Sequence, residues 1–511
     1  MSHLKRRDFL RLAGAGALTF PMVGKSEGSG FQSLEKAPDI LLLMPDQMRG
    51  DCLSILQHPV VRTPQMDALA QQGVLFRRAY STVPSCIPAR FALLTGLAPQ
   101  TSGSVGFAAP PITTPTLPGA LAAAGYATVL VGRNMHQGPK SGTCGYQKQI
   151  LGSTYVSGDD YDEALKKAVP ESGGIRHVIG QQKLNCNLWP AAPWPHADQW
   201  HPTAWIVTQS QQVVAATPPS QPLFLTASFY APHPPLFPPK KIFDALLKTK
   251  MPQIARGDWV NWPSITPAGD KGGHRVLLEG ETLQRAQAGY FGLIEHLDEQ
   301  ISPLIAVFKA RSEKAGRPWV IVLTTDHGEM LGDHGYFRKC EPYEGAASIP
   351  FIIAGSPALG FKAGARNQQP VCLEDLLPTL LTLARVAVPK GVDGLDLVPV
   401  LRGAGGVGRE WLHFEHAPCY GPAQAFHALT DGRFKYIWRP LDGAEQLFDL
   451  EKDPHEEHDL ARTPALASWR QRLIKRLAAR PEGFSDGKQL IAGRPYRALM
   501  RQQVPNKDSH E

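Results

Sequence analysis

Four short apolar runs, each emptying into a polar motif, constrain this chain more than any other feature. Asp39-Ile40-Leu41-Leu42-Leu43-Met44 leads into Pro45-Asp46-Gln47, and Ala127-Thr128-Val129-Leu130-Val131 leads into Gly132-Arg133-Asn134-Met135-His136. Leu223-Phe224-Leu225-Thr226-Ala227-Ser228 precedes a segment containing Pro232-His233-Pro234, and Val320-Ile321-Val322-Leu323-Thr324-Thr325 precedes Asp326-His327-Gly328. Apolar runs of this length, without polar alternation, predict strands buried on both faces, the parallel-sheet case. Helical patterns at Pro64 to Gln72, Thr116 to Ala124 and Gln284 to Val307 lie between them. Alternating strands and helices predict an α/β domain. In such sheets functional groups gather outside the carboxyl ends of the strands, so the four motifs are expected to converge on one edge.

A chain of 511 residues has room for one large domain and a smaller one. The character changes at Gly403-Ala404-Gly405-Gly406, a flexible break. Beyond it, Ala425 to Trp438 and Gln446 to Leu450 predict antiparallel strands with a turn near Asp431-Gly432. Leu466, Trp469, Leu473, Ile474 and Leu477 mark one face of a helix ending before Pro481. The expected organisation is a segment 1–30, a large domain 37–402, a small subdomain 407–492 and a tail 493–511.

At the N-terminus, Lys5-Arg6-Arg7-Asp8-Phe9-Leu10-Arg11 precedes a mildly apolar stretch from Leu12 to Val23. This resembles a bacterial twin-arginine signal, which implies export in folded form through the twin-arginine translocase to the periplasm or beyond. Much of the net charge of +7 falls in this segment. The remaining excess is too small and scattered to suggest a nucleic-acid partner. There are seven cysteines, an odd number that leaves at least one unpaired, and their spacing suggests no zinc site.

Cys86 lies in Ser85-Cys86-Ile87-Pro88-Ala89-Arg90-Phe91-Ala92-Leu93-Leu94-Thr95-Gly96. Pro88 suits the first turn of a helix, whose N-terminus favours an anion. A hydrolase acting on a charged oxyanion ester must neutralise the anion, activate a nucleophile and protonate a leaving oxygen. Asp46, Gln47, Asp326 and His327 could hold a divalent cation beside residue 86. Carboxylate and amide oxygens suit Ca²⁺ or Mg²⁺, and His327 leaves Mn²⁺ open.

The pattern Cys-x-Pro-Ala-Arg followed by Thr-Gly resembles the signature of the formylglycine-dependent sulfatases. So does Asp46-Gln47 taken with Thr324-Thr325-Asp326-His327-Gly328-Glu329-Met330-Leu331-Gly332-Asp333-His334-Gly335. The resemblance is to choline-sulfatase-like and arylsulfatase-like members of the alkaline-phosphatase-like superfamily, and to the related phosphonate monoester hydrolases. It runs from about Ala37 to Leu460 and includes Gly125-Tyr126, Asp375 to Thr379, Asp393-Gly394, Glu445 to Leu450 and Asp453-Pro454. It implies an alkaline-phosphatase-like fold: a mixed, mostly parallel sheet flanked by helices, with a smaller C-terminal α+β domain. It also implies hydrolysis of sulfate esters, after a maturing enzyme has oxidised Cys86 to formylglycine.

Carried over residue by residue, the resemblance implies that Asp46, Gln47, Asp326, His327 and modified Cys86 bind one divalent metal, Ca²⁺ first, with Mn²⁺ or Mg²⁺ as alternatives. Arg90 would hold the formylglycine hydrate, His233 would contact or protonate the leaving oxygen, and Lys339 would grip the sulfate, with Arg338 as fallback. His136 would be the base that breaks down the sulfated hemiacetal. The chain departs from the family twice. The usual Gly-Lys-x-His reads here as Gly132-Arg133-Asn134-Met135-His136, one residue longer, leaving Arg133 or Asn134 for the lysine. Gln47 stands where many arylsulfatases have Asp, which removes a negative charge from the metal shell.

A phosphonate or phosphate ester hydrolase using the same site is the alternative enzyme, and a non-catalytic oxyanion- or glycan-binding relative is the alternative class. The substrate is a small-molecule or carbohydrate sulfate ester, with aryl, choline and sugar alcohols all open. Trp189, Trp194, Trp200 and Trp205, with His196 and His201, either line a pocket or pack in the core. Glu415, His416, Gln424 and His427 either reach over the site or are satisfied structurally.

Overall fold

The computed structural model describes residues 36–137, 142–270 and 272–500. The signal segment expected at 1–30 lies outside them. The strands are β1 (Asp39–Asp46), β2 (Gly73–Phe76), β3 (Ala79–Tyr80), β4 (Ala127–Gly132), β5 (Lys148–Leu151), β6 (Leu223–Pro232), β7 (Trp319–Thr324), β8 (Phe351–Gly355), β9 (Ala365–Asn367), β10 (Val371–Cys372), β11 (Leu412–His416), β12 (Phe426–Thr430), β13 (Phe434–Trp438) and β14 (Glu445–Asp449). An eight-stranded sheet has the order β5-β4-β6-β1-β7-β8-β2-β9. The four apolar runs are its centre, β4-β6-β1-β7, and they run parallel. Every residue of β1, β6 and β7 is buried, as runs without polar alternation require. β8 is antiparallel to both β7 and β2, which makes the sheet mixed. Strands of three to five residues such as β2, β5, β8 and β9 are too short for sequence periodicity to separate from turns.

The helices expected from apolar spacing form at Pro64–Gln72, Leu117–Ala123 and Gly280–Lys314. The last outruns the pattern seen at Gln284–Val307 because its final turns are anchored electrostatically. Arg311 and Ser312 both donate to the buried Asp39 carboxylate at the start of β1. The aromatic-rich segment is core: Trp194 and Trp205 are buried, Trp189 and Trp200 pack against the same cluster, and none of the four lines the cavity described below. Trp205, on the helix Pro202–Ala216, meets Tyr161 edge-on with ring centroids 5.4 Å apart.

β11 to β14 form a separate antiparallel sheet, with a turn at Asp431-Gly432 where Gly432 has φ +92°. One face carries Phe414, Phe426 and Ile437 against Tyr80 and Tyr343, while the helix Leu466–Leu477 covers Leu429, Tyr436 and Trp438 on the other. The first part of the segment expected as a tail is tied down: Val105 N–H donates to Ala498 O at 3.1 Å and Met500 N–H to Gly103 O at 2.9 Å. Among the described residues no helix is long and apolar enough to cross a membrane. Trp205→Ala should lower the unfolding free energy by about 3–5 kcal/mol, the usual cost of emptying a buried aromatic site, read from the denaturant midpoint at unchanged slope.

Candidate active site

Local backbone chemistry delivers each group to one sheet edge. Asp46 ends β1 without solvent exposure, and Gln47 turns away from the strand at φ +65°. Gly132 ends β4 at φ +101°, where a Cβ would lie 2.1 Å from Ser228 O, so only glycine lets the chain turn there and present Arg133. Gly328 is equally constrained: a Cβ would lie 2.0 Å from Gly345 O, and this close approach fixes the loop carrying Asp326 and His327. Cys86 opens the helix Cys86–Thr95, which Gly96 ends in the left-handed region. The N-cap residue Ser85 makes no side-chain cap, because its hydroxyl meets His416 Nε2 at 2.8 Å.

Ligand-type atoms of Asp46, Cys86, Asp326 and His327 lie within 4.8 Å of one another. His327 Nδ1 faces the Gly328 carbonyl at 2.9 Å, which assigns the proton to Nδ1 and turns Nε2 into the cluster. That Nε2 is 3.2 Å from Cys86 Sγ, 3.7 Å from Asp326 Oδ1 and 4.0 Å from Asp46 Oδ1. Asp46 Oδ1 is buried with no hydrogen-bond partner. Two carboxylates, the Gln47 amide oxygen and an imidazole nitrogen, with one oxygen left orphaned, fit a hard divalent cation.

Arg90, expected on the hydrate of residue 86, bridges the carboxylates beside the unmodified Cys86, with Nη2 2.8 Å from Asp46 Oδ2 and Nε 2.9 Å from Asp326 Oδ2. Nη1 donates to Asn134 O and Ser228 Oγ. These bonds occupy four of its five N–H groups. Arg133 is the residue that approaches Cys86, with Nη2 3.7 Å from Sγ, Nε 3.0 Å from Asp46 Oδ2 and the guanidinium 4.4 Å above the Tyr230 ring. Its Nη1 is buried and unpartnered. Asn134 turns its side chain to the His136 N–H, so of the two candidates Arg133 is the one that reaches Cys86. Lys339 Nζ lies 2.9 Å from Cys86 Sγ, 3.1 Å from Gln47 Oε1 and 3.3 Å from His233 Nε2. Arg338 points away, to Gly272 O and over Tyr420.

Burial and Asp46 push the Cys86 thiol up, but Lys339 and His327 outweigh them and the net shift is downward. Burial raises Asp46, with Arg133 opposing. Asp326 lies well below the ordinary carboxylate range, because His327 and Arg90 overcome its burial. Burial, reinforced by Arg133 at His136 and by Lys339 at His233, holds both rings well below the usual histidine value, so both are neutral.

A cavity of about 880 Å³ opens onto Cys86, Arg133, His136, His233 and Lys339. Phe107, Tyr155, Tyr230 and Tyr420 line it with Arg176 and Arg338, and among the described residues no Asp or Glu does. Of the C-terminal candidates, His416 reaches Ser85, and Gln424 reaches His274 and the Lys339 carbonyl. Glu415 is held by Arg480 through two 2.8 Å bonds, and His427 stacks on Tyr496 and Trp438, both away from this cavity. Sequence reasoning missed Ser228 and Tyr230, although both sit in β6, one of the four runs. Glu329, in the motif that follows β7, carries no role that its sequence position alone suggests. All seven cysteines are free thiols.

A family model described as Sulfatase matches residues 38–386, and one described as N-sulphoglucosamine sulphohydrolase, C-terminal, matches 332–482. An arylsulfatase of Clostridium perfringens is 34% identical, across 90% of this chain and 99% of that protein. A choline-sulfatase of Rhizobium meliloti is 27% identical, across 84% and 83%. The crystal structure of a phosphonate monoester hydrolase of Agrobacterium radiobacter superposes with TM-score 0.73 at 25% identity, covering 86% of this chain and 95% of that one.

Replacing Arg90 by Leu leaves two buried carboxylates without their cation. The variant should lose about 3–5 kcal/mol in metal-free unfolding at neutral pH. The depressed Asp326 value contributes stability above pH 3.8 that is lost as pH falls below it. The gap between wild type and variant should therefore narrow as pH drops through that value.

Proposed function

The chain belongs to the sulfatase family and is a sulfate-ester hydrolase, and we propose that its nucleophile is Cys86 after oxidation to formylglycine. The observation that carries this reading is Cys86 Sγ itself. It is buried at a helix start, 2.9 Å from Lys339 Nζ and 3.2 Å from His327 Nε2, at the floor of a cavity lined by cations. Hydrated formylglycine supplies a hydroxyl that attacks sulfur and, once the alcohol has left, expels sulfate by C–O cleavage and returns to the aldehyde. A divalent cation, Ca²⁺ by the chemistry of the oxygen donors, would be held by Asp46, Gln47, Asp326, His327 and residue 86, and when bound lowers the pKa of the attacking hydroxyl and polarises the ester oxygens.

The protein's own side chains do the rest. Lys339 and the unpartnered Nη1 of Arg133 hold sulfate oxygens, and the neutralisation grows as charge develops. His233 keeps Nδ1–H on the Pro234 carbonyl at 2.7 Å, so its unprotonated Nε2 faces the cavity; once the ring has gained a proton there on binding of the anionic ester, it passes that proton to the leaving oxygen. Burial first, and then the Lys339 charge, keep the free ring neutral, and an entering sulfate adds the negative charge that favours its protonation. His136, neutral beside Arg133, takes the hydroxyl proton of residue 86 when sulfate is released. Arg90 acts one step back, holding Asp46 and Asp326 together and favouring the charged form of each.

A wall of arginines and aromatic rings without a carboxylate suits aryl and anionic sulfate esters better than the cationic choline ester. The likeness to a phosphonate monoester hydrolase favours a second, slower reaction on phosphonate monoesters in the same site. Arg6-Arg7 followed by Phe9-Leu10 supports export through the twin-arginine translocase after a formylglycine-generating enzyme has acted in the cytoplasm. The mature enzyme then works in the periplasm or outside the cell.

The peptide Ala79 to Arg90, from protein made in its native host, should carry the formylglycine mass; an intact thiol there overturns this mechanism. Cys86→Ala should abolish sulfatase activity, and Lys339→Ala should lower kcat/KM by about 10²–10³. Aryl sulfate should exceed both choline sulfate and aryl phosphonate in kcat/KM, and the reverse order would make this a phosphonate or choline-ester enzyme.

A further inference from the structure

Gln47 stands where a carboxylate would add charge to the cation shell, and a carboxylate lies one hydrogen bond behind it. Gln47 Nε2 donates to Glu329 Oε2. Glu329 is fully buried and does not line the cavity. Its other oxygen accepts the Leu331 N–H at 2.7 Å and the Arg338 N–H at 2.6 Å. Leu331 and Arg338 both have positive φ, 49° and 77°, a backbone that non-glycine residues rarely adopt unless held. The Glu329 carboxylate thus closes the loop whose next residue is Lys339, and Lys339 Nζ in turn meets Gln47 Oε1 at 3.1 Å.

Two neighbours settle which way the Gln47 amide faces. The Lys339 ammonium only donates, and it meets Gln47 Oε1, while Gln47 Nε2 donates to Glu329 Oε2. The amide nitrogen must face Glu329, and the oxygen must face Lys339 and the cluster. A flipped amide would oppose two acceptors on one side and two donors on the other.

We propose that Glu329 is a positioning residue. It aims Gln47 Oε1 at the cation site and tethers the loop that presents Lys339. The cation part of this inference rests on the metal reading given under Proposed function. The pair is then one carboxylate and one amide of equal length, and its function depends on the two being different and in contact rather than on which comes first.

The test exchanges them. Wild type, Gln47→Glu, Glu329→Gln and the exchange variant Gln47→Glu/Glu329→Gln are compared by metal-free thermal midpoint and by calcium dissociation constant from titration calorimetry. Gln47→Glu sets two buried carboxylates against each other and should lower the metal-free midpoint. Glu329→Gln releases the amide and should weaken calcium binding about 10–100-fold, the usual effect of removing a partner behind a ligand. The exchange variant should recover calcium binding to within about threefold of wild type and regain most of the midpoint, a non-additivity only contacting residues show. Glu329→Gln protein that binds calcium like wild type, or an exchange variant no better than Glu329→Gln, overturns the proposal. Where Glu329→Gln fails to fold, an exchange variant that folds and binds calcium supports it, and one that also fails to fold overturns it. Wild-type protein that binds no calcium defeats the metal reading alone. The metal-free midpoints then decide the pair: recovery in the exchange variant keeps Glu329 as the anchor of Gln47, and additive loss removes it.

Discussion

Asp46 and Asp326 lie together out of water just where β1 and β7 end, and the Arg90 guanidinium is what makes that possible. Two carboxylates in a dry interior repel, and each would sooner bind a proton than stay charged. A planar fork reaching both at 2.8 and 2.9 Å cancels the repulsion and fixes the rotamers of two candidate ligands at once. Arg90 belongs to the same helix that begins at Cys86, so one rigid element sets the distance between residue 86 and both acids. Such a pair is expensive to bury and is worth having for what it positions rather than for net stability.

Around this fork the site is asymmetric. Negative charge is packed on the sheet side, in Asp46, Asp326 and Glu329. Positive and neutral donors face the cavity, in Arg133, Lys339, His136 and His233. An entering anionic ester meets the cationic donors of Arg133 and Lys339, and a cation between acids and ester would complete the alternation of charge. The cavity itself joins distant parts of the chain. Tyr155, Tyr230 and Tyr420 come from three separate segments, and the C-terminal sheet contributes His416 at the start of the Cys86 helix.

Much of this was legible in advance because it is encoded locally. Four continuous apolar runs could only be buried strands, and their following motifs could only meet at one edge once the strands were parallel. Cys86, Asp46, Asp326, His327, Lys339 and His233 therefore come together as the sequence implies. The inserted residue after Gly132 left two candidates for one cation. Choosing Arg133 required knowing that the Asn134 side chain turns back on the His136 backbone. Arg90 shows the same limit: spacing tells that an arginine is near residue 86, and not that its fork also spans Asp46 and Asp326.

The sequence by itself determined the sheet's buried centre, the edge where chemistry gathers, the cysteine that sits at that edge and the family the chain belongs to. These depend on periodicity and short motifs that neighbouring residues carry. Tertiary structure alone decided that four tryptophans are core rather than pocket, that the cavity wall holds no carboxylate, and that Glu329 stands behind Gln47. Each of those depends on contacts between residues tens to hundreds of positions apart. Such contacts are set by how elements pack in three dimensions, and no local pattern records them.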